Sequence, residues 1–210
     1  MWQRFVARNS AKDFRFVSVA VDAQGAAGVR PWTERAGATF PTVVDRDNAL
    51  ATLYEYKLVP NGIFLDAAGS IRYRKFGGFS AGNAADIAAI QRLIDGEVVQ
   101  IDSDQAKAAY QLGAAERAFV EARMRLGAEY FGRGAHSQAI AEWQQALHLD
   151  PENLTIRKQI WMATYPEKFH PTIDFDWQRG QLARERAAEI ARGICGPDGC
   201  PLPARSGSGG

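Results

Sequence analysis

The stretch Tyr56–Phe76, YKLVPNGIFLDAAGSIRYRKF, decides how the first half of the chain is read. Two apolar runs, Gly62–Leu65 and Ile71–Phe76, flank Asp66-Ala-Ala-Gly69. The first run is continuous and bulky, as in a strand covered on both faces. The second alternates, with Ile71, Tyr73 and Lys75 on one side and Arg72 and Arg74 on the other. Asp66 and Gly69 are turn formers, so the pair predicts a β-hairpin with a four-residue loop. Pro60 has no amide proton for a ladder. It marks a strand start or a special turn, a cis peptide bond being one form of the latter.

Working outward, Met1–Ala11 carries Trp2, Phe5 and Val6 on one helical face, with no N-cap before it. Phe14–Val21 is rich in β-formers and predicts a strand. Ala26–Ala36 predicts a short helix, in which Pro31 belongs in the first turn. Phe40–Val44 reads as a short strand. Asp47 is placed to cap a helix over Asn48–Tyr56, with Leu50, Leu53 and Tyr54 inward. Ser80–Gly96 is helical, striped by Ile87, Ile90, Leu93 and Ile94 and stopped by Gly96. Strands alternating with helices predict an α/β layered domain over 1–96.

Residues 97–104 form a connector, with Ser103 or Asp104 as a cap for the next helix. From Gln105 the strand signal ends, and an all-α helical hairpin region spans 105–164. An aromatic loop, Tyr165–Trp177, and a charged helix, Gln178–Arg192, fill 165–192. The tail 193–210 holds CGPDGCP and a flexible Ser/Gly end.

Two resemblances follow from these residues. Val59-Pro60, a strand ending in Leu65-Asp66, a Gly turn and a second strand resemble the second half of a thioredoxin-like domain. The closest types are bacterial thiol:disulfide reductases and antioxidant peroxiredoxins of the redoxin class. Phe14–Asp22 resembles the strand after that family's active-site helix, and Phe40–Asp45 the segment before the helix that leads to Pro60. The likeness covers about residues 1–95 and requires Phe14–Val21 to share a sheet with the 62–76 hairpin. It implies thiol:disulfide exchange or peroxide reduction on a thiol- or disulfide-containing protein substrate, without a bound cofactor. By position, Pro60 would shape the substrate groove, and the Val59 backbone would offer an edge to a bound peptide. Separately, Leu126-Gly127, Tyr130, Ala139, Trp143, Ala146 and Pro151 have the offsets of one tetratricopeptide repeat, about Phe119–Asn153. Gly127 and Ala139 are small where two helices cross, and Gly134 separates the helices. One repeat cannot cover its own apolar face, so Gln105–Arg117 and Leu154–Thr164 are expected to flank it. Such helices imply a peptide partner as the alternative, non-catalytic role.

The family's Cys-x-x-Cys works at a helix N-terminus, where the dipole lowers the first thiol's pKa. Here no cysteine precedes Cys195. The expectation is that the first strand and reactive pair lie upstream of Met1 in a longer protein. The alternative is a degenerate fold used for docking. Cys195 and Cys200 bracket Gly-Pro-Asp-Gly and are the candidate redox-catalytic pair. A soft-metal thiolate site is the lesser reading, since two cysteines make an incomplete zinc site, and two thiols on a disordered tail is the bland one. His136, His148 and His170 are dispersed and read as surface or packing residues. Asp22, Asp45 and Asp66 end strands and read as turn caps.

Composition bounds the rest. The 210 residues allow one or two domains, and 46% apolar residues suffice for a sizeable core. A net charge of +1 with no long single-sign run gives no reason to invoke nucleic acid. Nothing approaches the ~20 apolar residues of a membrane span. MWQRFVARNS lacks the apolar core of a secretory signal, so a soluble, cytoplasmic protein is expected, or a periplasmic one if a signal lies upstream.

Overall fold

Hairpin chemistry organises the first of two units in a computed structural model that describes residues 1–99, 112–196 and 199–200. The units are Met1–Ala106, mixed α/β, and Lys107–Gly210, whose described elements are helices. In the first, β3 (Gly62–Leu65) pairs antiparallel with β4 (Ile71–Lys75). Asp66 makes the turn. Its Oδ1 accepts from the amides of Ala68 at 3.0 Å and Ser70 at 2.9 Å. Gly69 takes the left-handed φ of 81° that a side chain would resist. Strand β1 (Ser18–Ala20) pairs parallel with β2 (Thr42–Val44), Val19 opposite Val43.

Helix α1 (Trp2–Arg8) packs into one core with the hairpin. Phe5 is buried with Tyr73, Phe79 and Ile90, and Trp2, Phe14 and Phe64 pack around them. The Trp2 ring also lies 5.4 Å from Phe16 and 5.1 Å from Phe79. Each buried aromatic contributes roughly 1.5–3 kcal/mol by leaving water. Helix α4 (Ala84–Ile94) brings Ile90 to this core, its first amides capped by Asn83. Its Asp86 is buried, 2.6 Å from Lys75 Nζ, so burial of the carboxylate is offset by a cation.

Several expectations change. The single sheet joining Phe14–Val21 to the hairpin is not formed among the described residues: there are two two-stranded ladders. No described strand joins the two ladders. β3 is not covered on both faces, since Leu65 is exposed. Pro31 lies inside α2 (Ala26–Arg35), not in its first turn. Helix α3 (Ala49–Tyr54) is capped from Asp45, whose two carboxylate oxygens accept from Ala49 and Leu50 at 2.8 and 2.9 Å. Asp47 was the wrong residue because Asn48 turns left-handed, φ 56°, between it and the helix. A six-residue helix has little inward face: Ala51 is buried and Leu53 is 67% exposed.

The second unit opens with α5 (Ala114–Gly132) and α6 (His136–Leu149), packed as a hairpin. Gly134, at φ 76°, turns the chain between them. Trp143 is fully buried, and its indole N–H donates to the Met124 carbonyl at 3.3 Å. Ala139 and Ala146 are buried beside it in the sequence pattern expected. Helix α7 (Leu154–Thr164) follows, capped by Asn153 Oδ1, which accepts from Ile156. A separate helix over Gln105–Arg117 does not appear in the described part, because Ala114–Arg117 is the first turn of α5. The Ser103 and Asp104 caps and the Ser/Gly end lie outside the described residues. The aromatic loop is shorter than predicted: a 3-10 turn covers Pro166–Lys168, and Phe175 and Trp177 belong to α8 (Phe175–Ala191).

A Cβ on Gly127 would overlap the Trp143 indole nitrogen. G127A therefore trades a helix-propensity gain of up to ~1 kcal/mol against an overpacking cost of about 1–3 kcal/mol. A net loss on the order of 1 kcal/mol is expected as a lower denaturant midpoint. A midpoint at or above wild type would show that the α5–α6 crossing is not limited by this contact.

Candidate functional site

The cysteines meet at the end of α8. Asp174 starts that helix by accepting from the Trp177 amide at 2.9 Å, which with Lys168 holds its carboxyl below the usual range. Gly193, at φ 68°, ends it, and the amides of Ile194 and Cys195 turn back to the Glu189 carbonyl. Gly196 and Gly199 then bridge, which returns Cys200 to Cys195. The two sulfurs are joined as a disulfide. Cys195 is 6% exposed and Cys200 0%, with Leu112 and Ile194 packed on them. A loose tail is thus the wrong picture for these two residues: they are buried in the helical unit.

Charged groups surround the sulfurs unevenly. Arg186 Nη1 lies 2.7 Å from Cys200 Sγ and 3.9 Å from Cys195 Sγ. Glu189 Oε2 lies 3.6 Å from Cys195 Sγ. Glu152, before α7, takes Arg186 Nη2 at 2.9 Å on one oxygen and the Cys200 amide at 3.2 Å on the other. Glu189 and Arg186 share one face of α8, three residues apart.

Behind them sits a buried cation, Arg157 of α7. Its Nη2 is 2.5 Å from Glu189 Oε1, its Nη1 2.8 Å from Glu185 Oε2, and Nη2 also donates to the Pro151 carbonyl at 2.7 Å. Glu185 takes the Trp161 indole N–H at 2.6 Å. The chain Trp161–Glu185–Arg157–Glu189 thus ends at the disulfide. Sequence reading missed Arg157, Arg186, Glu189 and Glu152. The available signal was the Arg186/Glu189 spacing immediately before the cysteines in a helix otherwise read as solvated.

Glu189, Cys195 and Cys200 have ligand atoms within 4.8 Å of one another. With the sulfurs bonded to each other they offer no thiolate, and the Arg186 guanidinium against Cys200 opposes a cation.

Pro60 and Val59 belong to the other unit. The Val59–Pro60 bond is cis. The Pro60 carbonyl accepts from the Phe79 amide at 3.3 Å, and Asn61 Oδ1 accepts from Gly77 at 2.8 Å, fixing the approach to β3. Val59 lies in a bend outside the strand. Tyr56, buried just upstream, has its hydroxyl pushed from 10.0 to about 12 by burial and secondarily by Asp45. Asp22, Asp45 and Asp66 all accept backbone amides, as turn caps do. His136 starts α6 and stacks on Phe131, 4.5 Å between ring centres. His148 lines a shallow groove of about 530 Å³ with Phe119, Ala141, Gln144, Gln145 and Leu149. No helix among the described residues is long and apolar enough to cross a membrane.

Removing the Arg157 cation takes the shared partner from Glu189, which is buried, and Glu185, which is half-buried. R157L should cost about 3–5 kcal/mol in chemical denaturation, and adding E189Q should recover part of it. A wild-type midpoint for R157L would show that the carboxylates find water instead. At high pH a raised Tyr56 value means that the folded state keeps a proton the unfolded chain loses. Stability from Tyr56 should be intact below pH 10.0 and fall as pH rises toward about 12, a limb that Y56F flattens in alkaline denaturation. An unchanged limb in Y56F would remove Tyr56 as its source. No family model, curated protein or solved structure matches the chain.

Proposed function

We propose that this protein takes part in thiol:disulfide exchange, with Cys195 and Cys200 as its dithiol/disulfide couple. The observation that carries the reading is the Arg186 guanidinium set against the Cys200 sulfur, which would stabilise a thiolate on reduction. The thioredoxin-like resemblance of the first unit supports the same chemistry. In that reading an extended segment pairing with the free edges of β1 and β3 would make one sheet of the two ladders, and Pro60 would border the substrate. The substrate would be a disulfide- or thiol-bearing protein, and no cofactor is required by the exchange.

The test keeps the full chain native. It is equilibrated with graded dithiothreitol, trapped with a maleimide and weighed. Two thiols should appear reversibly without unfolding, and the reduced protein should speed insulin reduction in a way that C195S/C200S abolishes. A disulfide that resists reduction until the protein unfolds would overturn the proposal. The pair would then be a staple of the kind found in oxidising compartments.

A second reading, a peptide-binding helical module of tetratricopeptide type, is favoured by the groove beside Phe119, which is 37% exposed. In that case C195S/C200S would retain partner binding, and F119A would lose it.

A further inference from the structure

We infer that the couple is polarised: Cys195 is the sulfur an incoming thiolate attacks, and Cys200 is the thiolate that leaves. This rests on the redox reading above and adds a direction to it.

Three observations converge. The cation contacts Cys200, with Arg186 Nη1 at 2.7 Å from its sulfur and 3.9 Å from that of Cys195. A carboxylate contacts Cys195, with Glu189 Oε2 at 3.6 Å. Both cysteines are buried, and Cys195 is the less enclosed residue, 6% exposed against 0%. A thiolate at Cys200 would gain the guanidinium. One at Cys195 would face a carboxylate already paired to Arg157. Exchange is faster when the departing thiol has the lower pKa and the attacked sulfur is reachable. The charge placement selects Cys200 as the leaving thiolate, and the lesser enclosure of Cys195 points the same way.

Among the described residues, the other carboxylate at the pair, Glu152, is itself paired to Arg186. From α8 the pair meets Arg186 and Glu189, and from the segment before α7 it meets Glu152, which binds both Arg186 and the Cys200 amide. Arg157 of α7 reaches it through Glu189. Leu112 and Ile194 supply only apolar cover.

The step balances. A thiolate RS⁻ forms an S–S bond to Cys195 Sγ as the Cys195–Cys200 bond breaks, and the electron pair stays on Cys200 as a thiolate beside Arg186. A second thiolate, from the same dithiol or another monothiol, then attacks the sulfur of R. It releases Cys195 as a thiolate that takes a proton from solvent, and RSSR is the oxidised product. Arg186 is a positioning residue: it acts on the sulfur and not on the substrate.

Two measurements test this on the full chain. The first treats oxidised wild-type protein briefly with limiting glutathione, blocks the freed thiol with iodoacetamide and maps the adducts. Glutathione is expected on Cys195 and carbamidomethyl on Cys200. Glutathione on Cys200, or an even split, overturns the assignment. The second follows thiolate ultraviolet absorbance against pH in the single-thiol variants. Cys200 in C195S should be at least about tenfold more acidic than Cys195 in C200S, and R186Q in the C195S background should erase the difference. Equal acidities, or the reverse order, overturn it too. The wild-type adduct map does not depend on the variants folding. The absorbance titration does not depend on the couple cycling, so loss of polarity is separable from loss of exchange.

Discussion

The buried guanidinium of Arg157 is the constraint on which the helical unit depends. Sequestering a charge costs several kcal/mol unless partners replace its water. Arg157 has them in Glu185, Glu189 and the Pro151 carbonyl, drawn from α8 and from the turn before its own helix. A planar fork of donors accepts little sliding. It therefore fixes α8 along α7, and with it the direction in which Arg186 projects. Trp161 and Gln181 add donors to Glu185, so the carboxylate that anchors Arg157 is itself held. The sulfur site stands at the outer end of this sequence of contacts, and its polarity is set by helix registry rather than by the short loop that bears the cysteines.

The mixed unit solves a different problem. Its ladders are short, three residues in each strand of one and four and five in the other, and two-stranded pairs are marginal alone. Aromatic packing compensates. Trp2 and Phe5 on a seven-residue helix reach Phe79, which follows β4, and Phe14, which precedes β1, and Phe79 lies so close over Gly62 that a Cβ there would meet it at 2.5 Å. The close fit between a glycine and a ring locates the start of β3 beneath the segment that follows β4.

Legibility in the sequence tracked how local the determining physics was. The hairpin turn, a helix within Ser80–Gly96 and the helix Leu154–Thr164 could all be read because turn formers and apolar stripes act within a few residues, although the first helix starts only at Ala84 and the caps Asn83 and Asn153 went unread. Strand pairing could not be read in the same way. Whether Ser18–Ala20 and Gly62–Leu65 share a sheet depends on partners distant in sequence, and the answer went against expectation. The cap of α3 failed by two residues because Asn48 adopts a backbone conformation that composition does not announce. Cys195 and Cys200 were picked out by scarcity and spacing, but their burial was not. Arg157 looked like one more helical arginine until the fold closed two glutamates from Gln178–Arg192 around it.

The cysteines lie only five positions apart, and that short separation limits what the cross-link can do for the fold as a whole. Closing so small a ring removes little freedom from an unfolded chain. Loop-closure arithmetic gives about 2 kcal/mol, against nearly 5 for a loop of a hundred residues. Opening the ring should therefore leave most of the helical unit's cooperativity untouched. Such a bond can be made and broken as a local event, with the helices serving as its mould.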